Sequence, residues 1–250
     1  GGEQSGSVDD VVRDAVTQLA DLHFVCTSRA KHRVYGLTGQ WERIWNCGCG
    51  SIDIAKQARS APPVTVQELA GAGVYLDPQQ PFALIMQHPV TSEAACAAGQ
   101  MDATLDAILR VDLPRLVMWP GQDSGADAMA KRIRIEQAQG TIHTLRNLPP
   151  ERFLRLLCQA SVLVGNSSAG IRESAYLGVP VVNIGTRQQG RERAMNVLDV
   201  QHDVGDILGG IMWQLEHGPY GSSGLYGSGD AGERIAEVLC DKGRTARNIA

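Results

Sequence analysis

Apolar residues in this chain fall into two alternating patterns. Short, mostly apolar segments fit strands at 82–87, 115–119, 141–145, 162–165 and 179–184, while helices fit 93–109, 125–137, 151–159 and 170–177. Strands that are apolar throughout, interleaved with helices, predict βαβ units and a parallel sheet covered on both faces. Upstream, Val8, Val11, Val12, Ala15, Leu19 and Leu22 trace a helical face, with Ser7 and Asp10 placed as a partial capping box. A strand at 22–27, a basic helix at 28–37 and a strand at 43–47 follow. From 58 to 80 the pattern loosens around Pro62-Pro63 and Asp77-Pro78, which reads as a domain connection with at most one short helix. A Gly/Ser-rich stretch at 221–229 precedes a last amphipathic helix at 231–240.

Composition narrows the function. The 250 residues are 43% hydrophobic, enough for a substantial core. A net charge of −4 supplies no basic excess for a phosphate backbone, so no nucleic-acid partner is expected. No stretch approaches the roughly 20 apolar residues of a membrane span, so no membrane partner is expected either. Six cysteines are too few for a disulfide scaffold of this size. Cys47-Gly48-Cys49 lacks a second pair at zinc-site spacing, so no metal is expected, and reduced thiols in a cytoplasmic setting fit better. The chain opens Gly1-Gly2-Glu3 without Met or a signal-peptide pattern, and this opening reads like the interior of a longer sequence.

The chemistry concentrates in VLVGNSSAGIRESAYLGVPVVNIGTRQQGR, residues 162–191. A strand ends at Gly165 and a helix starts near Gly170, with Ser167 and Ser168 between them. Free N–H groups at a helix start and two hydroxyls make an anion site, which Gly165 and Gly170 would let a phosphate approach. For an isolated Ser-Ser ordinary serine capping is the better explanation, and the features that follow shift the balance to a ligand. Glu173, one turn on, is placed for the hydroxyls of a ribose, and the next strand ends at Asn183, Gly185, Thr186 and Arg187. Ligands of open parallel sheets bind at such strand ends. This is not a P-loop, because the Lys-Ser/Thr ending is missing. His88, in QHPVT at the end of the 82–87 strand, faces the same edge, and Glu3, Asp9, Asp10 and Arg13 cluster at the first helix start.

Taken together, GGEQSGSVDD, LHFVCTSRAKHRV, QHPVT, GNSSAGIRE, GVPVVNIGTRQQGRERAMNVLDV and LYGSGDAGERI resemble the hydrolysing branch of the UDP-N-acetylglucosamine 2-epimerases across nearly the whole chain. The resemblance implies an α/β, GT-B-like fold. Its Rossmann-like parallel sheet domain is complete on the C-terminal side (79–250), and residues 1–78 are a remnant of the first domain plus a connection. Further catalytic carboxylates would lie ahead of Gly1, so this chain alone is expected to be inactive.

The resemblance makes Asp9 an active-site carboxylate supported by Arg13, and His88 the active-site histidine. It gives Ser167, Ser168 and Gly170 to the diphosphate, Glu173 to the ribose, Arg187 to the ligand cleft and the Leu148 backbone to the uracil. Gly121 departs from the pattern, standing where Asn is frequent. The implied reaction removes the C2 proton of a UDP-sugar and expels UDP, then adds water with inversion at C2. It needs neither NAD nor another cofactor. The substrate would be UDP-GlcNAc or UDP-diacetylbacillosamine, for nonulosonic (sialic-type) acid synthesis, and the full-length protein a homo-oligomer. Two rivals are a GT-B glycosyltransferase using a UDP-sugar and a nucleotide-binding module without chemistry.

Overall fold

The computed structural model describes residues 1–5 and 9–247, with side chains through 241. The helix predicted around Val8 is α1 (Asp9–Leu19). Ser7 and Val8, and with them part of the capping box, lie outside the described residues. Two short parallel strands, β1 (His23–Val25) and β2 (Ile44–Asn46), flank α2 (Ser28–Thr38). Thr27 caps α2 by accepting the Ala30 N–H, and Gly39 ends it in the left-handed conformation.

The apolar face predicted for α1 does not meet a core. Val11 is 72% exposed and Leu19 86%, and the buried residue is Thr17. The helix rests instead on α2 through polar contacts, among them the Arg33–Asp14 ion pair at 2.5 Å. Helix α3 (Gly50–Ser60), which the pattern did not yield, ends as the loose stretch begins, and that stretch holds one short helix, α4 (Val66–Ala70), as the pattern allows. Thr65 and Glu68 form a reciprocal capping box at α4.

Six parallel strands build the main sheet: β3 (Ala83–Met86), β4 (Arg115–Met118), β5 (His143–Leu145), β6 (Val162–Gly165), β7 (Val181–Ile184) and β8 (Val197–Val200). Their order is β5-β4-β3-β6-β7-β8, so the chain winds outward from β3 in one direction and from β6 in the other. The predicted strand positions hold to within a few residues. The pattern did not yield β8 or the helix after it.

Alternate residues of each strand feed opposite faces. Leu84, Leu116, Leu163 and Val181 pack with Ala55 and Ala58 of α3 and with Leu154 and Leu157 of α7 (Pro150–Gln159). Ile85, Val117, Val164 and Val182 pack with α5 (Ala97–Ile108), α6 (Ala126–Gln139) and α10 (Val204–His217). The helix predicted over 170–177 is two short helices, α8 (Ser168–Ile171) and α9 (Glu173–Leu177), which meet at Arg172. The final helix, α11, runs Ala231–Arg247. No helix among the described residues is long and apolar enough to cross a membrane.

Candidate functional site

The strand order reverses between β3 and β6, and the two strand ends there carry QHPVT and GNSSAG. At such a switch point the connections leave on opposite sides and open a crevice beyond the sheet. Gly165 brings the strands together: it has φ +136°, and a Cβ on it would lie 2.3 Å from the Met86 carbonyl oxygen. Its requirement is therefore the neighbouring strand, not a phosphate.

The next residue, Asn166, is fully buried and bridges the crevice floor. Its Oδ1 accepts the His88 N–H at 2.8 Å, and its Nδ2 donates to the His88 carbonyl at 2.8 Å. Its own carbonyl accepts from Gln188 Nε2 at 2.8 Å and from Arg187 Nη1 at 3.3 Å. Asn166 thus fixes the ends of β3 and β6 and the loop after β7 in one arrangement. In the sequence it stands inside GNSSAG with nothing local to mark this role.

A polar cleft opens above this floor, and Asp9, Arg13, Ser168 and Arg187 all line it, joined by Arg172 and Arg191. Four guanidinium groups on one cleft suit a ligand bearing more than one negative charge. Burial pulls the pKa of Arg187 down while Asp123 and Asp9 oppose that shift. Arg13 forms its ion pair with Asp10 at 2.8 Å, with a further bond to Ser5 Oγ at 2.9 Å. Its observed carboxylate partner is thus the neighbour of Asp9. Asp10 in turn takes the Ser5 N–H on both oxygens, at 3.0 and 3.1 Å.

His88 stands beside the cleft in a defined protonation state. The Gly121 N–H donates to its Nδ1 at 3.1 Å, so the ring nitrogen left to carry hydrogen is Nε2. Burial, reinforced by the charge on Arg187, holds its pKa down to about 4. At neutral pH His88 is an uncharged hydrogen-bond donor. Gly121 acts here through its backbone, and a Cβ on it would sit 3.7 Å from His88 Nδ1 in ordinary contact. The site has room for a side chain at this position.

Ser167 and Ser168 have separated tasks. Ser167 is the N-cap of α8, its Oγ accepting the Ala169 N–H at 3.3 Å, while Ser168 lines the cleft. The capping alternative is thus what the Ser167 hydroxyl does. Gly170 faces away from the cleft: its N–H donates to the Ser167 carbonyl, and a Cβ on it would lie 3.0 Å from Val181 Cγ1. Its lack of a side chain serves helix-on-sheet packing.

Glu173 begins α9 at 8% exposure, and its Oε2 is buried without a hydrogen-bond partner. An unsatisfied buried carboxylate oxygen is costly unless something else supplies donors. Leu148 lies in the loop after β5 with its side chain in the core, which leaves its backbone as the element available to a ligand.

Glu3 is the carboxylate whose surroundings the sequence did not disclose. It reaches Arg172 at 3.5 Å and Arg191 at 3.5 Å, tying the first residues to α8 and to the loop after β7. Both arginines were visible in GIRE and GRER, but nothing local indicated their partner.

The family model for UDP-N-acetylglucosamine 2-epimerase matches residues 1–240. A UDP-N,N'-diacetylbacillosamine 2-epimerase (hydrolyzing) of Legionella pneumophila is 31% identical over 239 residues, covering 96% of this chain and 62% of its own length. A UDP-N-acetylglucosamine 2-epimerase of Neisseria meningitidis is 28% identical over 242 residues, covering 96% of this chain and 63% of its own. The chain therefore spans about three fifths of the length of these curated relatives. Among solved structures, the Methanocaldococcus jannaschii UDP-GlcNAc 2-epimerase in complex with UDP-GlcNAc and UDP superposes with a TM-score of 0.75 at 15% identity. That match covers 96% of this chain and 67% of the other, and it establishes the shared fold.

Proposed function

From the premise that this chain belongs to the UDP-N-acetylglucosamine 2-epimerase family, we propose that its cleft holds a UDP-linked 2-acetamido sugar and serves hydrolysing 2-epimerisation, releasing UDP and the C2-inverted sugar. UDP-GlcNAc and UDP-N,N'-diacetylbacillosamine are the two substrates proposed, in nonulosonic acid synthesis. The observation that carries the reading is the convergence of Ser168, Arg187 and Asp9 on one cleft at the switch point, with His88 at its side. Ser168 and Arg187 receive the diphosphate, and the unpartnered Glu173 oxygen receives donors from ribose hydroxyls.

The proton work at C2 falls to carboxylates, since His88 is neutral at working pH and offers Nε2–H as a donor. Its role is to hydrogen-bond an oxygen that gains negative charge as the bond to the diphosphate breaks. Arg13, Arg172 and Arg187 offset the charge of the departing UDP. Asp9, exposed at the start of α1, reaches the sugar side of the cleft.

Two measurements test this. Titration calorimetry with UDP should show saturable binding that Arg187→Ala weakens, and absence of UDP binding overturns the nucleotide reading. Incubation of the full-length protein with each UDP-sugar in deuterium oxide, followed by proton NMR, should give UDP and a free sugar deuterated at C2 without an acceptor. Sugar transfer that requires an acceptor establishes the glycosyltransferase instead, and UDP binding without turnover leaves a nucleotide-binding module.

A further inference from the structure

Arg172 is shared between the cleft and a pair of thiols behind it. Its Nη1 lies 3.5 Å from Glu3 Oε2 and 3.8 Å from Cys49 Sγ. Cys49 is the N-cap of α3, an eleven-residue helix, and its side chain makes no capping bond. The sulfur also lies 3.1 Å from Ser51 Oγ. Cys26 directly follows β1 and packs on the same buried group as Cys49, with Ile52, Ile171 and Tyr226.

The backbone makes this meeting specific. The N–H groups of Cys47 and Gly48 both donate to the Val25 carbonyl, at 3.1 and 3.3 Å, so the chain after β2 curls over the end of β1. Gly48 turns there with φ +86°, and a Cβ on it would lie 2.9 Å from Gly227 Cα. The turn places Cys49 on the buried group that Cys26 also joins.

The two sulfurs sit in unequal surroundings. The Cys26 thiol, the Ser51 hydroxyl and the Arg172 guanidinium favour negative charge on Cys49 and lower its pKa against burial, whereas Cys49 and burial push the pKa of Cys26 up and keep it a thiol. One sulfur favours the thiolate and the other stays a thiol on the same buried group. The remaining cysteines differ: Cys47 is buried with a raised pKa, and Cys96, Cys158 and Cys240 are exposed.

We propose that Cys26 and Cys49 form a dithiol that hydroperoxides oxidise to an intramolecular disulfide, Cys49 attacking and Cys26 resolving. The Cys49 thiolate attacks one peroxide oxygen, the O–O bond breaks, and hydroxide or alkoxide leaves with the electron pair, giving a sulfenic acid. The Cys26 sulfur then attacks the sulfenic sulfur. An S–S bond forms, the S–O bond breaks, and the Cys26 proton leaves with the hydroxyl as water. Counted from the Cys49 thiolate, the protein loses two electrons and the one proton of Cys26, and the peroxide is reduced. The disulfide withdraws a negative partner from Arg172 and ties the end of β1 to the start of α3.

The full chain, treated with hydrogen peroxide, alkylated after denaturation and analysed by mass spectrometry, should take up two alkyl groups fewer than the untreated chain. Peptide mapping should link Cys26 to Cys49, and dithiothreitol should reverse the change. Cys26→Ser, checked for folding by near-UV circular dichroism, should retain one added oxygen at Cys49 that dimedone captures. The proposal is overturned if peroxide consumes Cys96, Cys158 or Cys240 while Cys26 and Cys49 remain alkylatable, or if the map joins other cysteines. A folded Cys26→Ser chain without a dimedone adduct at Cys49 overturns it as well. If that variant does not fold, the wild-type map alone decides.

Discussion

Asn166 holds His88 by both ends of its backbone, accepting the His88 N–H and donating to the His88 carbonyl, each at 2.8 Å. A side-chain amide here replaces the ladder bonds that β3 and β6 lose as they diverge. Asn166→Asp keeps the acceptor, removes the donor and places a carboxylate where no surface is exposed. We expect a loss of at least ~1–3 kcal/mol in urea denaturation. Wild-type stability in that variant would show that the clamp contributes nothing.

Glycines at two positions should respond oppositely to alanine. Gly165→Ala drives a Cβ to 2.3 Å from the Met86 carbonyl oxygen at φ +136°, and neither backbone can yield without parting β3 from β6. Unfolding should cost less by several kcal/mol, on the order of the largest single-residue effects. Gly36, inside α2, has nothing within 4 Å of the position a methyl group would take, so Gly36→Ala should stabilise by ~0.5–1 kcal/mol. Differential scanning calorimetry of both variants checks the contrast.

The protonation of His88 has a definite sign. The unfolded chain takes up this proton near pH 6.5, and the folded chain does so only near 4. Stability therefore falls as pH drops from 6.5 toward 4 and is indifferent to His88 above that window. His23 and His202 are also held low by burial and add in the same direction. His88→Gln should flatten the acid limb without abolishing it. In nitrogen-15 NMR the His88 ring should stay neutral with hydrogen on Nε2 at pH 6, and a cationic ring at that pH would refute the assignment.

Glu173→Ala tests the ribose contact. Hydrogen bonds to a charged group contribute roughly 1.5–3 kcal/mol each, so UDP affinity should fall about 10- to 100-fold. Discrimination between UDP and 2′-deoxy-UDP should fall with it. Calorimetric titration of both nucleotides measures this, and unchanged affinity makes Glu173 a structural charge.

Local stability should differ along the chain. Around β1 and β2 the buried apolar group consists of Val25, Ala30, Val34 and Ile44, whereas β3 and β6 are covered on both faces by the two main clusters. Amides of β1 and β2 should exchange faster than those of β3 and β6. Uniform protection in hydrogen–deuterium exchange would contradict this.

Periodicity determined the main sheet, because a buried parallel strand has to be apolar throughout and a covering helix has to carry a stripe. It also located His88, Ser168 and Arg187 at strand ends, which is where an α/β sheet presents its chemistry. The pattern misled at α1, since Val11, Val12 and Leu19 trace a face that meets no core in this structure. Strand β8, half-covered at the sheet edge, has Asp199 inside it and lacked the continuous apolar run that marks the central strands β3 and β6. Tertiary structure alone decided the pairings. Gly170 turned to β7 rather than to the cleft, Arg13 took Asp10, Glu3 met Arg172 and Arg191, and the turn at Gly48 brought Cys49 onto the buried group that Cys26 joins. These are contacts between groups remote in sequence or between competing neighbours. A one-dimensional pattern records which residues are apolar, whereas which charge meets which is fixed only when the packed elements set their separation.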